Sequence, residues 1–365
     1  MTISQSKYLD ILRAALWDRP YDGKITEDVL LLARQQSTIG LICSKSQDQT
    51  LREGVLKTVY SNDKLNSALR EFSDILKDNG VDFVLLKGQG CASYYPDPYL
   101  RNCGDIDIYI GKPDYERVCR IAGEAADKGK PVEEEEKHFQ ISFHGISIEI
   151  HKASEIFPSQ ETNRLLREYE KDGLSRNLVP VRIEDFTVNT PEDTFNAMYV
   201  FVHFFNHFVW LGVGLRQICD WTMLLHRRGG YVDRKKLGDR LESLGLMKEW
   251  KAFGALAVDC LGLPPEEMPF YDASYVKKAR KVLSRLFATG NFGRNKIHIR
   301  LRKTGYPIRK ISSVIRHTGN NIAIFRLFPK QSALSYAGRF LRNVKRIFLS
   351  APFHPARRTV GENMP

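Results

Sequence analysis

Apolar residues recur at helical spacing through Leu65, Leu69, Phe72 and Leu76, which predicts an amphipathic helix over Leu65 to Asp78, ended by Asn79-Gly80. The pattern then changes. Asp82-Phe83-Val84-Leu85-Leu86 is a continuous apolar run that reads as a buried strand and stops at Lys87-Gly88-Gln89-Gly90. Asp105 to Ile110 alternates acid and apolar residues, then apolar only, which predicts a second strand. His138 to His144 and Ile146 to His151 alternate around Gly145 and predict two antiparallel strands joined by a tight turn. Between these lie a short helix over Gln89 to Tyr95, a loop imposed by Pro96 and Pro98, and a helix over Asp114 to Lys128. The acidic run Glu133 to Glu136 reads as a solvated loop.

Helical periodicity dominates elsewhere. Residues 1 to about 60 show apolar faces through Tyr8, Ile11, Leu12 and Ala15, and through Val29, Leu30, Leu31 and Ala33. After Thr190, a candidate N-cap followed by Pro191, a helix over Glu192 to Val209 is expected. It carries Asn196, His203, Asn206 and His207, which argues for a buried helix and against a membrane span. Further helices are expected over Leu215 to Arg228, Arg234 to Leu244, Met247 to Leu261 and Ala273 to Phe287. The expected architecture is α/β (α+β). A small mixed sheet with flanking helices occupies 61–188, after a helical segment over 1–60 and before a helical domain over 189–290 and a basic tail over 291–365.

The sheet region carries the chemistry. In a strand, positions i and i+2 share a face, so Asp105 and Asp107 project together while Ile106, Ile108 and Ile110 cover the other side. If Glu149 lies on a neighbouring strand, three carboxylates converge. Such a cluster is costly unless cations neutralise it, and Mg²⁺ is the usual one. On this ground, removing either Asp105 or Asp107 as a charge should not destabilise the metal-free protein. Gly88 and Gly90 directly after a strand let the backbone approach a ligand, and a helix starting there aims free N–H groups at phosphate.

Taken together, the strand–Gly turn–helix, the Asp-x-Asp strand and the later carboxylate resemble the DNA polymerase β-type nucleotidyltransferase superfamily. More narrowly, Leu85-Leu86-Lys87-Gly88, then Tyr95-Pro96-x-Pro98-x-x-Arg101-x-x-x-Asp105-Ile106-Asp107 and a later Ile148-Glu149-Ile150-His151 resemble the uncharacterised bacterial nucleotidyltransferases. That superfamily usually has Gly-Ser or Gly-Gly in the turn, where this chain has Gly88-Gln89. The resemblance implies transfer of a nucleoside monophosphate from an NTP to an acceptor hydroxyl. Two Mg²⁺ ions would be held by Asp105, Asp107 and Glu149, with Glu149 as the third ligand or a general base. Lys87, Gly88, Gln89, Gly90 and Arg101 would contact the nucleotide, although Lys87 could instead point away from the turn. His151 and His138 stand as substrate-contacting, supporting or merely structural histidines. His203 and His207 share a helix face but lack an evident third zinc ligand; of Arg216 and Asp220 on the next helix, the resemblance implies a site role for the Asp, and a salt bridge between helices is the other reading. A nucleotide-binding module of the same fold without turnover is the alternative.

Composition refines this picture in two places. Six cysteines with no paired spacing read as reduced thiols, which, with no signal-like apolar start, suggests a cytoplasmic protein. The net charge of +12 belongs to the tail: residues 291–365 hold 16 Lys and Arg against one acid, Glu362, leaving 39 basic and 42 acidic residues elsewhere. Within it, Gln331 to Ser350 places Leu334, Phe340, Leu341, Val344 and Ile347 on one side and Arg339, Arg342, Lys345 and Arg346 on the other. This basic amphipathic helix is expected to contact an anionic membrane face or a polyanion, or to pack on the second domain.

Overall fold

The computed structural model describes residues 1–134, 136–291 and 322–333. The basic helix expected over Gln331 to Ser350 therefore lies outside the described residues from position 334 onward.

The helical opening comprises α1 (Ile3–Leu16), α2 (Glu27–Gln36), α3 (Ile39–Cys43) and α4 (Arg52–Asp78). Helix α4 is longer than its apolar periodicity alone predicts and runs unbroken across position 60, because its first turns stay half-exposed and polar. The sheet region follows as β1 (Val84–Leu85), α5 (Gln89–Ala92), β2 (Asp105–Tyr109), α6 (Lys112–Ala125), β3 (Glu133–Glu134), β4 (His138–Phe143) and β5 (Ile146–His151). Next come α7 (Gln160–Gly173), the hairpin β6 (Val179–Ile183) and β7 (Phe186–Thr190), then α8 (Asp193–Trp210), α9 (Leu215–Arg228), α10 (Arg234–Ser243), α11 (Met247–Leu261) and α12 (Val276–Thr289).

The strands form a mixed sheet in the order β1-β2-β5-β4-β3. Only the β2–β5 pair is parallel; the other neighbours run antiparallel. That pairing sets the site, since Asp107 lies opposite Glu149 and Asp105 opposite Ser147. Residues on one side of β2, β5 and β4 pack with Leu65, Leu69 and Phe72 of α4 and Val118 of α6. Burial of this apolar face fixes the register, because a one-residue slip would send the carboxylates into the core. The turn between β4 and β5 uses His144 and Gly145, both at positive φ (51° and 75°), the conformation of a two-residue hairpin loop.

Several local expectations are corrected. Glu133–Glu134 is not a loop but a short exposed edge strand on β4, which satisfies part of its backbone while keeping both side chains in water. Thr190 is not the cap of α8: it ends β7, and its hydroxyl donates to the Val179 carbonyl. Glu192 caps the helix instead, accepting from the Phe195 amide at 2.9 Å. Helix α7 and the β6–β7 hairpin were not anticipated, although Val179, Val181 and Ile183 alternate visibly.

A second, larger core joins α1 and α2 to α8, α9, α11 and α12, so helices that precede the sheet region close on helices that follow it. Tyr199, Phe201, Phe204, Trp221, Trp250 and Phe253 are fully buried there. No described helix is long and apolar enough to cross a membrane.

Candidate active site

Helices α8 and α9 face the polar side of the sheet across a cleft of about 950 Å³. The floor is laid by strand alternation. Asp105 and Asp107 from β2, Glu149 from β5 and His138 from β4 all line it, as do Lys87 and Gly88 at the end of β1. His151 is fully buried, two residues beyond Glu149 on the same face of β5. Its Nε2 lies 2.9 Å from Asp107 Oδ1 and 3.3 Å from Glu149 Oε2, so one imidazole ties together the two register-paired acids. His138, opposite His151 in the ladder, sits with its Nδ1 3.7 Å from Glu149 Oε2. His138, Glu149 and His151 also bring one ligand atom each within 4.8 Å of one another.

Lys87 does not point away from the turn. Its Nζ lies 2.9 Å from Asp107 Oδ1 and 3.1 Å from His203 Nε2 of α8. Burial disfavours the Lys87 ammonium, but Asp107, Tyr199, Asp105 and Glu149 outweigh that and raise its pKa. The acids consequently separate. Repulsion from Asp107, then burial, pushes the Asp105 carboxyl up despite Lys87. Burial acts the same way on Asp107, but Lys87 and the His151 hydrogen bond overcome it and hold that carboxyl well below its usual range. Glu149 is likewise lowered, burial being offset chiefly by His151.

Gly88 precedes α5 with φ 58° and ψ −117°, a conformation that favours glycine, and a Cβ there would stand 3.2 Å from the Asp105 carbonyl. Gln89 and Gly90 do not face the cleft. The Gln89 side chain turns behind the turn, donating to Asn66 and accepting from the Cys103 thiol. Gly90 packs with a Cβ position 3.1 Å from the Thr190 methyl, so its smallness serves the β7 contact.

Arg101 reaches the cleft wall but is 3% exposed and committed elsewhere: Nε and Nη2 each lie 2.7 Å from a different oxygen of Asp220. The loop before β2 is thereby joined to α9. One turn earlier on α9, Arg216 lines the cleft, donates through Nη1 to the Asn102 carbonyl, and has a buried Nε with no hydrogen-bond partner. It acts on Asp105 as a nearby positive charge. Among the described residues, His203 and His207 belong to no group of three close ligand atoms; His203 Nδ1 lies 3.1 Å from Glu155 Oε2. Glu155 escaped sequence reasoning entirely, because nothing in the local pattern after β5 says that this acid folds back under α8.

This fold and this floor define a class, an α/β protein with an acidic cleft flanked by a lysine and an arginine. The chain belongs to the uncharacterised nucleotidyltransferase family, which it matches over residues 27–262. Neither the curated proteins nor the solved structures gave a match. The matched span takes in the whole sheet together with α8, α9 and α11, so both walls of the cleft lie inside it.

Proposed function

We propose that the protein transfers a nucleoside monophosphate from an NTP to an acceptor hydroxyl, with Asp105, Asp107 and Glu149 holding two Mg²⁺ ions. The single observation that carries this is the parallel register of β2 and β5, which sets Asp107 beside Glu149 and leaves Asp105 two residues along the same face. The donor types suit a hard divalent ion: all three proposed ligands are carboxylates that line the one cleft together. Bound there, the divalent ions supply Lewis-acid stabilisation of phosphate charge and acidify the attacking hydroxyl.

The chain's own groups do the rest. Gly88 lets the backbone come close to the phosphates, and Lys87 and Arg216 offset their charge from opposite walls. His151 holds Asp107 and Glu149 in position from alongside them on the same face of the sheet. Glu149 is assigned as the third metal ligand, and the acceptor proton leaves to solvent in the open cleft. The acceptor oxygen forms a bond to the α-phosphorus as the bond to pyrophosphate breaks. The described cysteines are unpaired, in keeping with a cytoplasmic site of action.

The test is to incubate the protein with each α-³²P-labelled NTP, Mg²⁺ and a cell extract, then to look for a labelled acceptor and pyrophosphate. Label transfer that Asp107→Asn abolishes is expected. Metal-dependent NTP binding without release of pyrophosphate would instead indicate a module that binds without turnover.

A further inference from the structure

The placement of Lys87 poses a problem that its role toward phosphate does not explain. A lysine has three donors and no acceptor, and a flexible four-carbon stem. In a cleft this wide it could reach many places, yet its ammonium sits between Asp107 and His203 at 2.9 and 3.1 Å. An ammonium can only donate, so His203 Nε2 must be an acceptor. The ring is therefore neutral and carries its proton on Nδ1. That nitrogen lies 3.1 Å from Glu155 Oε2, a carboxylate that can accept it. Glu155 is in turn 3.7 Å from Lys137. Burial, the Lys87 charge and His207 all push the His203 pKa well down, and Glu155 opposes them without prevailing. The four groups form a chain centred on Lys87, which donates to Asp107 on one side and to His203 on the other, while His203 donates to Glu155.

We propose that Glu155 and His203 are positioning residues that hold the Lys87 ammonium on Asp107, making Lys87 a built-in counter-cation of the carboxylate cluster. Glu155 selects the tautomer, the tautomer makes Nε2 an acceptor, and the acceptor fixes the lysine. The side chains of Lys87, His203 and Glu155 are 15%, 11% and 10% exposed, so water competes little for these contacts. Two consequences follow. The cluster keeps its spacing before any divalent ion arrives, and the ion must enter against a fixed like charge. Metal alone therefore binds more weakly than three carboxylates would allow, and a nucleotide phosphate that draws Lys87 away relieves the opposition.

The chain of contacts stands whatever the protein transfers; only the nucleotide consequence rests on the function proposed above. The first experiment uses full-length protein labelled with ¹⁵N-histidine, and reads the imidazole long-range ¹⁵N–¹H correlations at pH 7. His203, assigned through its loss in His203→Gln, is expected as the neutral Nδ1–H tautomer. An Nε2–H tautomer or an imidazolium overturns the proposal. The second measures Mn²⁺ binding by electron paramagnetic resonance, without nucleotide. Lys87→Met is expected to tighten it about tenfold by removing a like charge, and the near-isosteric Glu155→Gln by about threefold. In the Lys87→Met background, Glu155→Gln should add less than twofold. An effect of Glu155→Gln equal in both backgrounds, or no effect of Lys87→Met, refutes the positioning role. Wild-type protein that binds no Mn²⁺ would count against the proposed transferase, while the tautomer would still decide this inference.

Discussion

Arg101 and Asp220 form a two-pronged buried ion pair, with Arg101 Nε 2.7 Å from Asp220 Oδ1 and Nη2 2.7 Å from Oδ2. Tyr95 adds a hydroxyl donor to the same carboxylate at 2.7 Å. Through this contact the loop that leads into the Asp-x-Asp strand is anchored to α9, so the pair sets the distance between the floor and the wall of the cleft.

Breaking that pair from one side should be costly, because it strands a buried charge. Arg101→Met or Asp220→Asn is expected to lower unfolding free energy by about 3–5 kcal/mol, and the double variant by less than the sum. Burial raises the Asp220 pKa, but Arg101 outweighs it and the net shift is downward from 3.8. A depressed acid stabilises the fold above its unfolded pKa and loses that contribution as pH falls through the folded value. Urea unfolding of wild type and Asp220→Asn should therefore differ fully at pH 7 and converge below about pH 4. A gap that stays constant down to pH 3 would contradict the assignment.

The strand pattern treats Asp105 and Asp107 alike, and the structure separates them. Asp105 is pushed up by Asp107, so its ionisation opposes folding as pH rises above the unfolded value. Asp105→Asn should raise the melting temperature of metal-free protein at pH 7. Asp107 is held down by Lys87 and His151 against its burial, so Asp107→Asn should lower that temperature, contrary to expectation from the strand alone. Both variants should lose transfer. Differential scanning fluorimetry in chelator checks the opposite signs.

At Gly88 the backbone itself limits substitution. With φ at 58° and the Asp105 carbonyl 3.2 Å from any added Cβ, Gly88→Ala should cost about 1–3 kcal/mol of stability. Its effect on NTP affinity should exceed that of Gly90→Ala, whose extra methyl meets Thr190 outside the cleft. Isothermal titration with NTP and Mg²⁺ compares the two.

Arg216 rather than Arg101 is the guanidinium assigned to phosphate. Arg216→Ala is expected to weaken NTP binding by about 1.5–3 kcal/mol, the range for a hydrogen bond to a charged group, while changing thermal stability little. Stability lost without any change in NTP affinity would make Arg216 a structural strut between α9 and Asn102.

The charge asymmetry of the tail carries a separate expectation. Sixteen basic residues against one acidic one over 291–365 suggest docking on an anionic surface. Each Lys or Arg near an anionic bilayer contributes about 1 kcal/mol, and screening at about 8 Å makes the attraction salt-sensitive. Full-length protein and a truncation after Pro329 should differ in co-sedimentation with phosphatidylserine vesicles or RNA at low salt. Equal partitioning of the two would remove the docking role.

Much of the site was written locally. Period-two alternation put Asp105 and Asp107 on one face and placed Glu149 and His151 on another strand, and the glycines that end the first apolar run marked the turn at Gly88. Such features depend on backbone geometry within a few residues, which is why a linear pattern reveals them. Whether Glu149 stood beside Asp107 depended on a parallel pairing of strands some forty residues apart, and the ladder decided it. His203 as a partner of Lys87, and Asp220 as the partner of Arg101, were beyond local reading, since both lie more than a hundred positions away. Charge type and face are properties of short segments; which cation neutralises which acid is a property of packing, where burial and distance settle a contest that the chain leaves open.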